Sequence, residues 1–166
     1  MKKRLQKGFT LLEVLLVIGL IAILAGIVIV AINPSRQLTQ ANDTQRQADV
    51  EDILNSVFQY TIDNNGMLPD NGTVVIATGA AKILGTSTAD CSTLTCSALS
   101  TNADCIDLSG KLVPTYTASM PVNPGTTTVS YDTTNIGYAI SQDASGRITV
   151  QSCENDVDGD AIVATR

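Results

Sequence analysis

The sequence predicts an α+β protein in which a long N-terminal helix packs on a small antiparallel β-sheet. Three observations predict this fold. An apolar run fills residues 9–32, apolar residues recur at helical spacing over 34–66, and short β-type segments alternate with turns over 67–166. The chain has 166 residues, so the part beyond the apolar run is large enough for one modest core.

The apolar run is long enough to cross a membrane as a helix. From Phe9 to Ile32 only Thr10, Glu13 and two glycines interrupt it. A helix of this length spans about 36 Å, against a hydrocarbon thickness of ~30 Å. The apolar region of a secretory signal is shorter, about 7–15 residues. We therefore expect residues 9–33 to be kept as a transmembrane helix.

Basic residues set the expected orientation of this helix. Lys2, Lys3, Arg4 and Lys7 precede the apolar run, and no basic cluster follows it. Because positive charge stays on the cytoplasmic side, the N-terminus is expected in the cytoplasm and residues 34–166 outside it.

Glu13 is out of place in a plain membrane anchor. An unpaired acid inside the bilayer costs at least ~2–3 kcal/mol. Glu13 is either close enough to the interface to stay hydrated or paired with a cation. The cations nearby are those of residues 1–7, or a new amino terminus made by cleavage after Gly8.

The stretch Lys7-Gly8-Phe9-Thr10-Leu11-Leu12-Glu13-Val14 resembles the prepilin motif of type IV pilins and type II secretion pseudopilins. The resemblance implies that a prepilin peptidase removes residues 1–8 by cutting between Gly8 and Phe9, and that the Phe9 amine is N-methylated. It also implies that Glu13 pairs with the Phe9 amine of a neighbouring subunit, and that the fold is type IV pilin-like. Such a pair offsets two desolvation costs and sets the axial register between subunits.

A second helical stretch is predicted from Pro34 to about Asn64. Asn33 and Pro34 form a break, with Asn33 as N-cap and Pro34 as the first helical residue. The run Asn64-Asn65-Gly66 supplies a stop. The residues that form its predicted apolar face are Val50, Ile53, Leu54, Val57, Phe58 and Thr61, and those expected on the polar remainder are Arg46, Asp49, Asp52 and Gln59.

Short strands are predicted in the last hundred residues. The expected segments are Thr73 to Thr78, Thr128 to Tyr131, Ile136 to Ser141 and Arg147 to Ser152. Residues 143–146 are expected to form the hairpin loop between the last two, residues 86–105 a loop, and residues 113–123 mainly turns.

Four cysteines, Cys91, Cys96, Cys105 and Cys153, follow the apolar run. Their even number in an exported segment predicts two disulfides in an oxidising compartment. Three pairings are possible, and the sequence does not choose among them. Free thiols in a reducing compartment are the alternative.

The acidic segment Glu154, Asp156, Asp158 and Asp160 surrounds a glycine and presents alternating oxygen ligands. It is not an EF-hand, because Thr165 stands where the twelfth position requires Glu. The resemblance implies calcium as a possible ligand, since some major pseudopilins bind calcium near this end. A solvated acidic tail is the alternative.

Composition argues against catalysis and nucleic-acid binding. The chain contains no histidine, which excludes Ser-His-Asp and Cys-His chemistry and His-ligated zinc. The net charge is −6, a poor surface for phosphates, so no direct nucleic-acid binding is expected. The acid pairs Asp104/Asp107 and Asp156/Asp158 are hydrolase candidates only through proximity in sequence. We therefore expect a non-enzymatic protein.

The sequence thus predicts a structural subunit of a type IV pilus-like filament, with residues 1–8 as the leader and 67–166 as the exported globular domain. The resemblance implies a homo-oligomeric helical filament and an assembly platform of a pilus or a secretion system as partners. The subunit would wait in the cytoplasmic membrane and end in an extracellular or periplasmic filament. A secretion pseudopilin and, less strongly, a monomeric anchored binding protein are the alternatives.

Overall fold

The computed structural model describes residues 8–70, 72, 76, 78–79, 81–86, 105–126 and 129–166. The chain divides into two compact units, Met1–Leu38 and Thr39–Arg166. The helices are α1 (Leu11–Ile32), α2 (Pro34–Asp63) and the short α3 (Ser109–Leu112). The strands are β1 (Lys82–Leu84), β2 (Cys105–Ile106), β3 (Tyr138–Gln142), β4 (Ile148–Ser152) and β5 (Val163–Thr165).

Helix α1 is apolar on every side. It is 22 residues long with a mean hydropathy of 3.3, which makes it long and apolar enough to cross a membrane. None of its residues is buried. Because a helix that is apolar all round needs an apolar environment, α1 requires either lipid or other helices around it.

The predicted break between the two helices is confirmed. Asn33 adopts a left-handed backbone with φ 45°, and Pro34 is the first residue of α2. The Ser35 hydroxyl donates to Asn33 Oδ1 at 2.8 Å, and the Arg36 amide donates to the Asn33 carbonyl at 3.2 Å. Proline has no N–H to continue the α1 hydrogen-bond ladder, and asparagine tolerates the left-handed region.

The predicted stop of α2 is also confirmed. Asn65 and Gly66 both have positive φ, 55° and 88°. The Gly66 amide donates to the Thr61 carbonyl at 2.8 Å, which satisfies an acceptor of the last helical turn.

The sheet has five strands in the order β2-β1-β3-β4-β5. Strand pairs β1/β3, β3/β4 and β4/β5 are antiparallel, whereas β1 and β2 pair in parallel. The α+β class is confirmed, and the antiparallel expectation is corrected to a mixed sheet. A parallel pair needs a crossover connection, and the chain between residues 84 and 105 is long enough to make one.

The hairpin of β3 and β4 forms as predicted around residues 143–146. Two of its neighbours in the sheet, β1 and β5, were not predicted from the sequence. The strand expected over Thr128–Tyr131 is wrong for residues 129–131, where the Thr126 amide donates to the Val129 carbonyl in a turn. Most of the strand expected over Thr73–Thr78 lies outside the described residues, and Thr78 forms an isolated bridge with Gln142.

The core lies between α2 and one face of the sheet. Its helix residues are Val50, Ile53, Leu54 and Val57, and its strand residues include Leu84, Ile106, Tyr138, Ile140, Ile148 and Val150. The alternate residues of β1, β2 and β3 point to the other face, where Ile83, Cys105 and Ala139 form a second small cluster with Cys153. This alternation is the normal two-residue period of a strand.

Candidate assembly segment and the buried polar contacts of α2

Residues 8–13 form the segment that the sequence singles out for processing and assembly. Gly8, Phe9 and Thr10 precede the helix, are non-helical, and are exposed, with Phe9 at 83% of its accessible surface. The cleavage pair named from the sequence is therefore solvent-accessible in this chain. Residues 1–7 lie outside the described part.

Thr10 is the N-cap of α1. Its backbone is extended at φ −82° and ψ 150°, and its Oγ1 accepts a hydrogen bond from the Glu13 amide at 3.2 Å. The Val14 amide donates to the Thr10 carbonyl at 3.2 Å, which is the first bond of the helical ladder. The helix therefore starts two residues after Phe9, and the start is fixed by a side chain.

Glu13 lies in the first turn of α1, where the amide dipoles favour a negative charge. Its side chain is exposed, and none of the described residues donates a hydrogen bond to its carboxylate or forms an ion pair with it. The carboxylate is thus available to a group beyond the described residues.

A second group of polar residues lies beside α2. Arg46 was expected on the polar remainder of the helix, but only 2% of it is exposed. Its guanidinium donates to Asp43 Oδ1 at 2.6 Å, to Asn123 Oδ1 at 3.1 Å and to the Gly125 carbonyl at 2.7 Å. We call these four residues the Arg46 cluster.

The spacing of Arg46 along the helix could have predicted that it lies on the buried face of α2. Residues 46, 50, 53 and 57 follow one another at steps of four, three and four, which puts them on one face of α2. The three apolar members were identified, whereas the arginine on the same face was assigned to solvent because of its charge. A buried arginine needs several acceptors, and two of its three, Asn123 and Gly125, lie 77 and 79 residues further along the chain.

Asp49 was also expected on the polar remainder and is instead buried. It accepts a 2.6 Å hydrogen bond from the Tyr138 hydroxyl and a 2.7 Å bond from the Gln45 amide. Burial, with the hydrogen bond to Asp49 second, raises the pKa of Tyr138 far above its ordinary value of 10.0. The phenol is therefore a hydrogen-bond donor to Asp49 at neutral pH.

The acidic C-terminal segment is occupied by its own protein contacts. Asp156 Oδ1 accepts the amides of Asp158 and Asp160 at 2.9 and 2.8 Å, and Glu154 Oε1 accepts the Tyr131 hydroxyl at 2.7 Å. Across the described residues, no three His, Cys, Asp or Glu side chains converge as a metal site requires. Calcium binding by this segment stays a sequence prediction.

The same segment is attached to α2 through Asp43. The Val157 amide donates to Asp43 Oδ2 at 2.9 Å, while the other oxygen of that carboxylate accepts from Arg46. One carboxylate therefore joins the C-terminal loop to the Arg46 cluster. The effect is structural, since both oxygens are occupied.

Of the four cysteines, Cys105 and Cys153 lie in the described part of the chain, and Cys91 and Cys96 lie outside it. Cys105 and Cys153 are both buried in the cluster on the outer face of the sheet. Neither is a free thiol. The pairing of the four cysteines stays a prediction.

Comparison with known proteins agrees with the N-terminal segment. Residues 3–29 match a family model described as the prokaryotic N-terminal methylation motif. The chain is 39% identical over 72 residues to the type IV wide pilus major component PilA4 of Thermus thermophilus, covering 43% of this chain and 53% of that protein. It is 37% identical over 65 residues to the type II secretion system core protein G of Aeromonas hydrophila, covering 39% of this chain and 44% of that protein.

These matches confirm the resemblance to pilins and pseudopilins. The chain spans about half the length of the curated relatives it matches. No solved structure matches the chain. The matched motif and helix α1 overlap over residues 11–29, so the exposed apolar helix contains most of the methylation motif.

Proposed function

We propose that this relative of pilins and pseudopilins is the structural subunit of a type IV pilus-like filament. A prepilin peptidase removes residues 1–8, the Phe9 amine is methylated, and subunits polymerise through α1. The pilus component among the relatives supports this reading. The subunit has no catalytic task, and ATP hydrolysis for assembly belongs to a separate motor.

The observation that carries the proposal is the exposed apolar surface of α1 behind a matched methylation motif. All 22 residues of α1 are exposed, and nearly all of them are apolar. Monomeric soluble proteins rarely expose apolar patches of this size. Lipid covers the helix before assembly, and α1 helices of other subunits cover it in the filament.

The membrane stage determines where the chain resides. The N-terminus lies in the cytoplasm, α1 crosses the cytoplasmic membrane once, and the unit Thr39–Arg166 lies outside. There the four cysteines meet an oxidising compartment and form two disulfides. The buried, non-thiol state of Cys105 and Cys153 supports that part of the proposal.

Within the filament, Glu13 pairs with the Phe9 amine of a neighbouring subunit. Both groups are at the exposed start of α1, and the Glu13 carboxylate has no partner among the residues described here. Each charge alone is costly in an apolar bundle, and the pair removes both costs while fixing the axial register.

A pseudopilus of a secretion system is the second candidate, because the other relative is a secretion-system core protein of similar identity. Both candidates use the same processing and the same α1 packing. They differ in the machinery that assembles the filament and in whether the product reaches beyond the cell surface. Electron microscopy of cells with and without the chain separates them.

Mass spectrometry of the purified protein tests the proposal directly. The expected species begins at Phe9 with one added methyl group. A chain that still starts at Met1 in cells containing a prepilin peptidase refutes the filament proposal and favours the monomeric anchored protein.

Replacing Glu13 tests the pairing step. Glu13→Gln keeps the size of the side chain, so cleavage at Gly8 is expected to continue. Incorporation into filaments is expected to fall at least about tenfold, because the Phe9 ammonium is left unpaired in an apolar bundle. Glu51→Gln, the same change at an exposed position of α2, is the control and is expected to assemble normally. Equal incorporation of the two variants contradicts the pairing.

A further inference from the structure

The proposed cleavage bond lies among the three described residues that precede α1, and the third of them, Thr10, caps the helix. Gly8 and Phe9 are not helical, and Thr10 has an extended backbone at ψ 150°. The first ladder bond runs from the Val14 amide to the Thr10 carbonyl, so the Gly8 carbonyl accepts no bond of the helical ladder. The peptide bond between Gly8 and Phe9 is therefore free of the helix.

A membrane environment disfavours a non-helical backbone at Gly8 and Phe9. In a low-polarity medium an unpaired backbone group costs several kcal/mol, so a helix tends to extend until its amides and carbonyls are bonded. Gly8 is itself an acceptable N-cap, two residues upstream of Thr10. A helix capped at Gly8 would take Phe9 into its first turn and the Gly8 carbonyl into the ladder.

Thr10 decides between these two starts. Its Oγ1 accepts the Glu13 amide at 3.2 Å, which satisfies one of the donors that would otherwise favour extension. Its backbone is in the β region, which a residue inside the helix cannot keep. Without the hydroxyl, the helix that starts at Gly8 becomes more stable relative to the helix that starts at Thr10.

We infer that Thr10 is a positioning residue for cleavage: by capping α1 it holds the Gly8–Phe9 bond in the non-helical form that the peptidase can bind and attack. The peptidase must reach the Gly8 carbonyl, and a carbonyl already bonded within a helix is unavailable to it. This inference rests on the proposed processing at Gly8, and it adds a conformational requirement to that reaction.

Four forms of the full-length chain in membrane vesicles with a prepilin peptidase test the inference. Thr10→Val keeps the shape of the side chain and loses the acceptor, whereas Thr10→Ser and Thr10→Asn keep a capping oxygen. We expect Thr10→Val to be cleaved about fivefold more slowly than the unaltered chain, which corresponds to a typical N-cap contribution of ~1 kcal/mol. Thr10→Ser and Thr10→Asn should be cleaved at close to the unaltered rate.

The asparagine form separates capping from direct recognition. Asparagine has no hydroxyl but is a strong N-cap, so slow cleavage of Thr10→Asn together with rapid cleavage of Thr10→Ser would show that the peptidase reads the hydroxyl itself and would overturn the inference. Equal rates for Thr10→Val and the unaltered chain would overturn it as well. If the unaltered chain is not cleaved, the proposed function fails instead, so the two failures are distinguishable.

A spectroscopic reading checks the conformational step without the peptidase. Backbone carbon chemical shifts at Gly8 and Phe9, measured on the full chain in micelles, should move toward helical values in Thr10→Val and stay unchanged in Thr10→Asn. Shifts that remain non-helical in Thr10→Val would contradict the inference even if cleavage slows. The melting temperature of the unit Thr39–Arg166 should be the same in all forms, because Thr10 belongs to the other unit.

Discussion

Removing the Arg46 side chain should destabilise the globular unit more than any single surface change. The change is Arg46→Ala. The guanidinium makes three hydrogen bonds at 2.6–3.1 Å while only 2% of the residue is exposed. Its removal leaves Asp43, whose side chain is 13% exposed, without its counter-ion, and leaves two further acceptors, Asn123 Oδ1 and the Gly125 carbonyl, without that donor.

The expected magnitude follows from these losses. Taking one partner out of a buried ion pair costs about 3–5 kcal/mol, because the other charge stays buried and uncompensated. For a unit of this size each kcal/mol lowers the melting temperature by roughly 3–5 °C, so a total fall of roughly 9–25 °C is expected. Asp43 also accepts the Val157 amide, so part of the loss should appear as loosening of the C-terminal loop.

Thermal unfolding of the full chain in detergent, followed by near-ultraviolet circular dichroism of the tyrosines, measures the change. Arg147→Ala is the matched control, since that arginine is 66% exposed and pairs with Asp143 across four residues. Exposed ion pairs contribute little, so this variant should shift the melting temperature only slightly. Equal shifts for the two variants would refute the role assigned to the Arg46 cluster.

Three further predictions concern pH and the polar contacts of the sheet and its hairpin loop. Tyr138→Phe should destabilise the unit by about 1–3 kcal/mol in denaturant titrations at pH 7, because Asp49 stays buried and loses a 2.6 Å donor. Burial first, and then the hydrogen bonds to acids, raise the pKa of Tyr138 and Tyr131 above 10.0, so stability should fall as pH rises above about 10, where tyrosines ionise only in the unfolded chain. The backbone hydrogen bond from Arg147, followed by its side-chain bond, lowers the pKa of Asp143 below 3.8. Its stabilising effect should therefore be present above that pH and lost as pH falls below it, and Asp143→Asn should remove this part of the acid dependence.

The parts of the fold that the sequence predicted are those with local causes. The helix break at Asn33-Pro34 and the stop at Asn65-Gly66 follow from the backbone preferences of those residues. The hairpin around residues 143–146 follows from turn residues between two alternating segments. Each of these signals acts within a few residues, so one sequence is enough to read it.

The parts that were missed depend on distant residues. Strand β5 is three residues long, and its place beside β4 is fixed by pairing with residues 149–151 rather than by its own pattern. The parallel pairing of β1 with β2 joins Ile83 to Cys105, which stands 22 residues further along the chain. Arg46 and Asp49 were expected in solvent because they are charged. In the structure, Asn123 and Gly125 accept hydrogen bonds from Arg46, and Tyr138 donates one to Asp49.

A candidate site could be proposed from the sequence because the residues that define it lie within the short segment 8–13. The roles of Gly8, Phe9 and Glu13 were predicted from spacing and from the resemblance, and they stay predictions. What the sequence did not give was the role of Thr10 as N-cap, although Thr10 and Glu13 stand at the three-residue spacing at which an N-cap side chain meets a backbone amide.

The strongest argument for a partner at Glu13 is that the carboxylates of the buried Asp49 and the mostly buried Asp43 both have hydrogen-bond donors within the chain. Asp49 is buried, and Tyr138 and Gln45 satisfy it; Asp43 is mostly buried, and Arg46 and the Val157 amide satisfy it. Glu13 stands in the most apolar segment of the chain without a donor among the described residues. Water satisfies it while α1 is free, but neither lipid nor a bundle of α1 helices can do so. The donor that we propose is the amine that cleavage after Gly8 would create at Phe9 of a neighbouring copy.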